Sequence, residues 1–404
     1  MNCRSCGSNN VNHFLSLGRQ PLANDFLKPD RVEKEPYYPL DLVFCTNCTL
    51  VQLSEESFVP RDILFTHYLY TSSVSGGLRV HFEQLAKKLA ETIQKNAVVV
   101  DIGSNDGVLL KPLKTLGLRS VGVEPAVNLA KIANENGLET LNDFFSKRSA
   151  STIVSRYGHA DVIVASNVFA HLDGIHEFIS NVRTLLKDDG FFVIEIQYLA
   201  DTINDMTYDN VYHEHVFYYS LHSLIRLFEK HNMRVFKAEH VKTHGGSLRV
   251  YICKDDRDID RSVEQFITRE KQMRLDKFET YRSFADELMK RIRELRNLFS
   301  ELKEEHKFVA GYGAPAKSST MINSVKLDAT LIQYIVEDAP LKQGLFTPGS
   351  HIPIVSPVAL EQKTPDYIVI FAWNYADDIM KKLDKFKRKG TKFIVPMPKV
   401  QIIK

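Results

Sequence analysis

The stretch Ala97-Val98-Val99-Val100-Asp101-Ile102-Gly103-Ser104-Asn105-Asp106-Gly107-Val108-Leu109-Leu110 decides the fold. Its β-branched run reads as a short buried strand, and the apolar segment after the second glycine reads as the start of a helix. A strand that ends in an acid, turns on glycine and feeds a helix opens a nucleotide-type α/β domain. Working outward, Gly77–Gln94 has the apolar spacing of an amphipathic helix. Downstream come a strand at Val121–Glu124, a helix through Asn134, a strand at Asp161–Ala165, a helix at Ile175–Leu186 and a strand at Phe191–Ile196. Alternation at this spacing predicts an α/β fold with a parallel, doubly wound sheet.

The glycines at 103 and 107 are spaced G-x-x-x-G. A dinucleotide site needs G-x-G-x-x-G, so that helix N–H groups meet a pyrophosphate. Asp106 inside the loop repels phosphate and suits a cationic, phosphate-free ligand, S-adenosylmethionine. Glu124 stands 23 residues after Asp101 (124 − 101), at the end of the next strand, where an acid binds both ribose hydroxyls. The expected cofactor residues are Asp101, Gly103, Asn105, Asp106, Gly107 and Glu124. Asp143, after a third short strand, is the expected partner of the adenine region, and Asn167, at the next strand end, is grouped with them. An NAD loop and a generic βα turn are the rival readings.

The chain has 404 residues, room for two to four domains at ~100–200 residues each. Lys plus Arg is 52 and Asp plus Glu is 50, so the net charge of +2 offers no footprint for a nucleic-acid backbone. No apolar run approaches the ~20 residues of a membrane span, and Met1-Asn2-Cys3-Arg4 shows no signal-peptide core. The expectation is a cytoplasmic enzyme, monomer or homodimer, binding neither membrane nor nucleic acid.

Four of the five cysteines form two knuckles, Cys3-x2-Cys6 and Cys45-x2-Cys48, separated by 38 residues (7–44). Two knuckles complete a four-thiolate zinc shell, which leaves no open position for chemistry. The zinc is therefore expected to be structural. Residues 1–66 make this module, 67–253 the central domain, and 254–404 a long charged helix followed by a second βα pattern. In the last part, Gly311-Tyr312-Gly313-Ala314-Pro315-Ala316-Lys317 reads as a glycine turn opening a helix, suited to a diphosphate with Lys317 adding charge. A tight packing turn is the alternative.

Two polar aromatic segments carry the chemistry. Asn167-Val168-Phe169-Ala170-His171 follows the fourth strand, where open α/β sheets place ligands. Tyr208-Asp209-Asn210-Val211-Tyr212-His213-Glu214-His215 follows the fifth and is an acid–base constellation. A metal site and a structural hydrogen-bond cluster are its alternatives, although the H-E-x-x-H spacing of a catalytic metal helix is absent.

Taken in order, the four-cysteine module, D-I-G-S-N-D-G, N-V-F-A-H-L-D, Y-H-E-H, H-G-G-S-L-R-V-Y and G-Y-G-A-P-A-K resemble the S-adenosylmethionine-dependent C-methyltransferases of nucleotide-deoxysugar biosynthesis. The resemblance spans nearly the whole chain. It implies a zinc module, a central Rossmann-like methyltransferase domain and a smaller C-terminal Rossmann-like domain that helps hold a nucleoside-diphosphate 4-keto sugar. It also implies methylation at C3. Carried over by position, His215 is the general base, and Tyr212 and Glu214 line the sugar and orient that base. His171 lies near the keto oxygen, with Asn167 beside it. The Y-x-Y-x-S-S segment supplies an active-site tyrosine, Tyr70 in preference to Tyr68, and Tyr68, Ser72, His244 and Lys317 are the further substrate contacts. Gly76 and Gly77 depart from the bulkier residues expected there.

The chemistry agrees with that resemblance. A ketone acidifies the neighbouring C–H, a histidine removes the proton, and Tyr and His donors stabilise the enolate oxygen. O-methylation is the alternative enzyme reading. An RNA-modifying or RNA-binding zinc-ribbon protein and a non-catalytic sugar-nucleotide binder are the alternatives outside it.

Overall fold

The computed structural model describes residues 1–64, 73 and 76–404, without the side chains of Asp62 and His244. Tyr68, Tyr70 and Ser72 lie outside the described residues. Near the N-terminus, β1 (Val11–Pro21) pairs antiparallel with β2 (Tyr37–Cys45), and β2 with β3 (Val51–Leu53). Leu15, Leu17, Leu40, Leu42 and Phe44 turn into one core. The short α1 (Arg61–Leu64) follows. Next, α2 (Gly76–Thr92) buries Leu78, Phe82, Leu85 and Leu89, a single stripe at helical spacing, against Val99, Val162, Val164 and Val193.

The deciding stretch folds as read, with β4 (Val98–Ile102) buried at every residue, then a loop and α3 (Leu110–Thr115). β5 (Arg119–Val123), α4 (Val127–Glu135), β6 (Thr140–Leu141), α5 (Lys147–Tyr157), β7 (Ala160–Ser166), α6 (Ile175–Leu185) and β8 (Leu186–Gln197) continue the alternation. Then come α7 (Leu199–Asp205), β9 (Phe217–Tyr218), α8 (Leu221–Glu229), β10 (Arg234–Val241) and β11 (Ser247–Cys253). The central sheet has the order β10-β11-β8-β7-β4-β5-β6. It is parallel except at β11, which runs against both β8 and β10. The all-parallel expectation fails there because β10 and β11 are joined by a short turn, and a short turn links only antiparallel strands. β9 leaves this sheet and pairs with β3, so the N-terminal sheet is completed by a strand from far along the chain.

After α9 (Arg261–Gln272), the 27-residue α10 (Phe278–Glu304) places Tyr281, Leu288, Ile292, Leu295, Phe299 and Leu302 in one buried stripe. That stripe shares a core with Leu42 and Phe44 and with Val309, Met321 and Val369, so the helix straps the N-terminal sheet to the C-terminal part. Each such side chain contributes about 1.5–3 kcal/mol of transfer free energy. The last sheet contains β12 (Val309–Tyr312), β13 (Ile335–Val336), β14 (Ile354–Val355), β15 (Tyr367–Ile370), β16 (Lys392–Val395) and β17 (Gln401–Ile403), with α11 (Ala316–Val325) after β12. Its order is β14-β13-β12-β15-β16-β17, parallel except for the last strand. Both α/β sheets therefore reverse strand order beside their first strand, at β4/β7 and at β12/β15, where such sheets bind ligands.

Candidate active site and metal centre

Cys3 and Cys6 lie in the turn before β1, Cys45 ends β2, and Cys48 sits in the turn to β3. The four sulfur atoms lie within 4.8 Å of one another, with Cys3–Cys48 at 3.5 Å and Cys6–Cys45 at 3.6 Å. A disulfide needs about 2.05 Å. Four thiolates at about 2.3 Å from one zinc ion define a tetrahedron with edges of about 3.8 Å, which these separations match. An all-thiolate shell suits an ion that fastens the two knuckles.

In the loop after β4, Gly103 and Gly107 have φ of +71° and +84°. A Cβ at Gly103 would fall 2.3 Å from Val168 Cγ2, so glycine lets this loop close on the loop after β7. Glu124, at the end of β5, accepts N–H groups from Asn105 at 2.8 Å and Ala126 at 2.9 Å, and burial raises its pKa. Burial, with the Glu124 charge adding, also pushes Asp101 well above the usual carboxylate range. Asp106 accepts from the Ser73 N–H at 3.3 Å, while its buried Oδ1 has no hydrogen-bond partner among the described residues. A buried carboxylate oxygen left open beside a glycine turn fits a cationic ligand rather than a phosphate. Asp143 instead turns to Arg148 at 2.6 Å, although the adjacent Asn142 side chain donates to the Glu124 carbonyl. Asn167 has φ of +57°, and its N–H donates to the Glu195 carbonyl at 2.7 Å.

The loop between α7 and β9 holds the second cluster. His215 Nδ1 donates to the Asn210 carbonyl at 2.7 Å, which makes Nε2 the basic nitrogen. The Tyr212 ring lies 4.0 Å from the His215 ring and His171 4.9 Å away, edge-on. Burial, helped by Arg61, pushes His171 down to about 4, so it is neutral at physiological pH. Arg61 is held by the His171 carbonyl at 2.9 Å and by Asp173 at 3.3 Å. Glu214 is buried, which pushes it up to about 7, and it accepts from the Asn24 side chain at 2.6 Å. His213 turns away to the Pro39 carbonyl at 3.0 Å. The two histidines of Y-H-E-H therefore serve different neighbours. Among the described residues, the only group of His, Cys, Asp and Glu fit to hold a metal is the four cysteines.

The C-terminal part closes on the same loop. Lys317 Nζ is 3.6 Å from Asp209 and 4.1 Å over the Trp373 ring, and Trp373 donates to Asp209 at 2.7 Å. Burial lowers the Lys317 pKa and raises that of Asp209. Thr320 donates to the Val211 carbonyl at 2.7 Å. The backbone of His244 belongs to the turn whose next residue, Gly245, would place a Cβ 2.7 Å from Trp373. The cofactor residues thus gather at β4 and β5, and His171, Tyr212, Glu214 and His215 gather at the next loops. The Asp143 side chain pairs with Arg148, one residue on from the Asn142 side chain that reaches Glu124. Reading the sequence missed Asn24, Arg61, Asp209 and Trp373 as site neighbours. Asp209 lies inside the Tyr208–His215 segment, but Asn24 is 190 residues from its partner and carries no local signal.

Comparison with known proteins follows this layout. Residues 3–65 match the family described as "Putative zinc binding domain", 78–238 the "Methyltransferase domain" and 242–398 the "C-methyltransferase C-terminal domain". The chain is 36% identical over 406 residues to the C-methyltransferase NovU of Streptomyces niveus, covering 99% of this chain and 96% of that protein. A ubiquinone biosynthesis O-methyltransferase of Methylobacterium is 28% identical over 107 residues, 26% of this chain and 41% of the relative. Among solved structures, magnesium protoporphyrin IX methyltransferase of Synechocystis PCC 6803 with bound SAH aligns with a TM-score of 0.36 and 12% identity, over 44% of this chain and 84% of that one. No helix among the described residues is long and apolar enough to cross a membrane. The match runs the length of the chain through all three parts, and the protein belongs to the S-adenosylmethionine-dependent C-methyltransferases that carry an N-terminal zinc-binding domain.

Proposed function

We propose that the enzyme methylates a carbon next to the ketone of a nucleoside-diphosphate 4-keto-deoxysugar, through an enolate that His215 generates. The observation that carries this reading is the Nδ1 contact of His215 with the Asn210 carbonyl, which presents Nε2 as a base beside Tyr212 and His171. Bound S-adenosylmethionine supplies an electrophilic methyl group on sulfonium. The protein must make the nucleophile. His215 takes the proton from the acidified carbon. Neutral His171 and the Tyr212 hydroxyl donate to the oxygen on which charge develops, as in an oxyanion site. A ketone at C4 acidifies C3 and C5 alike, and C3 is the position the family resemblance implies. Asp106 and Glu124 are the groups that would hold the cofactor's cationic end and ribose.

A nucleotide on the substrate is supported by the C-terminal sheet. Glu337, ending β13, accepts the Ala314 N–H at 2.7 Å and the Ala339 N–H at 3.0 Å. This repeats the arrangement of Glu124 at the other switch point, with G-Y-G-A-P-A-K in place of the first loop.

The test is incubation with S-adenosylmethionine and thymidine-diphosphate-4-keto-6-deoxyglucose in D2O. Wild type is expected to exchange one proton next to the ketone and to give a C-methylated sugar, whose position NMR reads directly. His215→Ala is expected to lose exchange and methylation while still binding S-adenosylmethionine. Methyl found on oxygen, or full turnover in His215→Ala, overturns the enolate reading in favour of O-methylation.

A further inference from the structure

The loop that carries Glu214 and His215 is fastened by residues remote in sequence. Glu214 is 4% exposed, and its Oε1 accepts from Nδ2 of Asn24 at 2.6 Å. Asn24 sits in a turn after β1, closed by the Asp25 N–H on the Leu22 carbonyl at 3.1 Å and the Phe26 N–H on the Asn24 carbonyl at 3.0 Å. Leu22, Ala23, Phe26 and Leu27 are buried around it. Leu27 also exchanges two backbone hydrogen bonds with Phe346 of the C-terminal part, at 3.0 and 2.8 Å. The Asn24 carboxamide is therefore held on fixed backbone, and 190 residues of chain separate it from the carboxylate it meets.

We propose that Asn24 of the zinc-binding part is a positioning residue of the active site, holding Glu214 in place beside His215. The proposal rests on the catalytic reading of the Y-H-E-H loop given above. A buried carboxylate with a single directed donor depends strongly on that donor, because leaving a buried charged group unpaired costs far more than leaving an exposed one. The surroundings leave Asn24 this task. On its own loop, Glu214 is flanked by His213, turned to the Pro39 carbonyl, and His215, turned to the Asn210 carbonyl. From the β7 side stands the His171 ring, 4.9 Å from that of His215, with Arg61 and Asp173 paired behind it. From the N-terminal side, the charged neighbours of Asn24, Asp25 and Arg31, pair with each other at 3.1 Å. No cation among them takes over the Glu214 carboxylate, whose pKa burial raises and the Asn24 donor lowers.

The Asn24 donor favours the ionised carboxyl, so its loss moves the titration of Glu214 upward. Whichever form of Glu214 is the working one, the limb of the pH–rate profile that it governs moves to higher pH. The experiment measures kcat against pH with S-adenosylmethionine and thymidine-diphosphate-4-keto-6-deoxyglucose for wild type, Asn24→Ala, Glu214→Gln and the double variant. Asn24→Ala should raise that limb by about one to two pH units and leave the affinity for S-adenosylmethionine unchanged. Glu214→Gln should lose the limb, and adding Asn24→Ala should then change nothing further. If Asn24→Ala does not fold, Asn24→Ser, too short to reach the carboxylate, should give the same shift. An unmoved limb in the Asn24 variant, with Glu214→Gln still losing it, overturns the role of Asn24 alone. Full turnover in both Glu214→Gln and His215→Ala overturns the catalytic reading and this one with it.

Discussion

Lys317→Met tests how the catalytic loop is pinned to the C-terminal part. The Asp209 side chain is 1% exposed and that of Lys317 13%, with the charges 3.6 Å apart. At an effective dielectric near 20, that separation is worth about 4–5 kcal/mol of attraction. Burial works against both charges, as the opposite shifts of the two groups indicate. The net value of the pair against an apolar replacement is therefore small, but breaking it is costly. Removing the ammonium leaves Asp209 with the Trp373 N–H as its side-chain donor among the described residues, a loss of about 3–5 kcal/mol, at the lower end because Asp209 can take up a proton. Asp209→Leu combined with Lys317→Met should recover most of that loss. The assay is urea unfolding followed by tryptophan fluorescence, because Trp373 is the chain's one tryptophan and touches both partners. Equal stability of Lys317→Met and wild type, or a double variant that costs the sum of the singles, refutes the pin. Sugar KM, measured in parallel, tests Lys317 as a diphosphate contact, since a pin alone lowers stability without weakening substrate selectively.

Three further outcomes are expected. Cys45→Ser should lower zinc content and melting temperature together, because metal binding is part of the folding energy of the knuckles; metal analysis and calorimetry check this. Asp106→Leu and Glu124→Ala should each weaken S-adenosylmethionine binding by about 1–3 kcal/mol in calorimetric titration, since each leaves a buried ligand group unpaired. The third outcome concerns pH. His171 titrates near 4 in the folded chain against about 6.5 when unfolded, so the unfolded chain takes the proton first as pH falls. Stability from this residue is full above pH 6.5 and is lost progressively down to pH 4, by about 3 kcal/mol in all. Urea midpoints at pH 5 and 7.5 should differ less in His171→Gln than in wild type.

Local patterns carried much of this protein's design in the sequence. The run Val98–Ile102 is apolar and β-branched, so it had to be a buried strand wherever it packed. The cysteine spacing needs no knowledge of the fold, because two thiolates per knuckle meet one ion by short-range geometry alone. The stripe from Leu288 to Leu302 announces a helix with one buried face, whatever that face covers. Y-H-E-H could be read as acid–base chemistry because the residues that do it are neighbours in the chain.

Partner choice was not written locally. Residue types and spacing do not separate the two histidines of Y-H-E-H; the family resemblance singles out His215, and in the fold the carbonyls of Pro39 and Asn210 give the two rings different neighbours. Lys317 reads as a free cation beside a glycine turn, yet the packing of α11 brings it to Asp209 and Trp373. Asn24 has no pattern that marks it, and its meeting with Glu214 exists because β9 joins β3 and draws the loop onto the N-terminal sheet. The reversed direction of β11 likewise follows from the short turn before it and from the edge that β8 leaves open. Periodicity and spacing are set within a few residues, and the sequence alone determines them. Which buried polar group faces which depends on how whole elements stack, and that is decided only when the chain has folded.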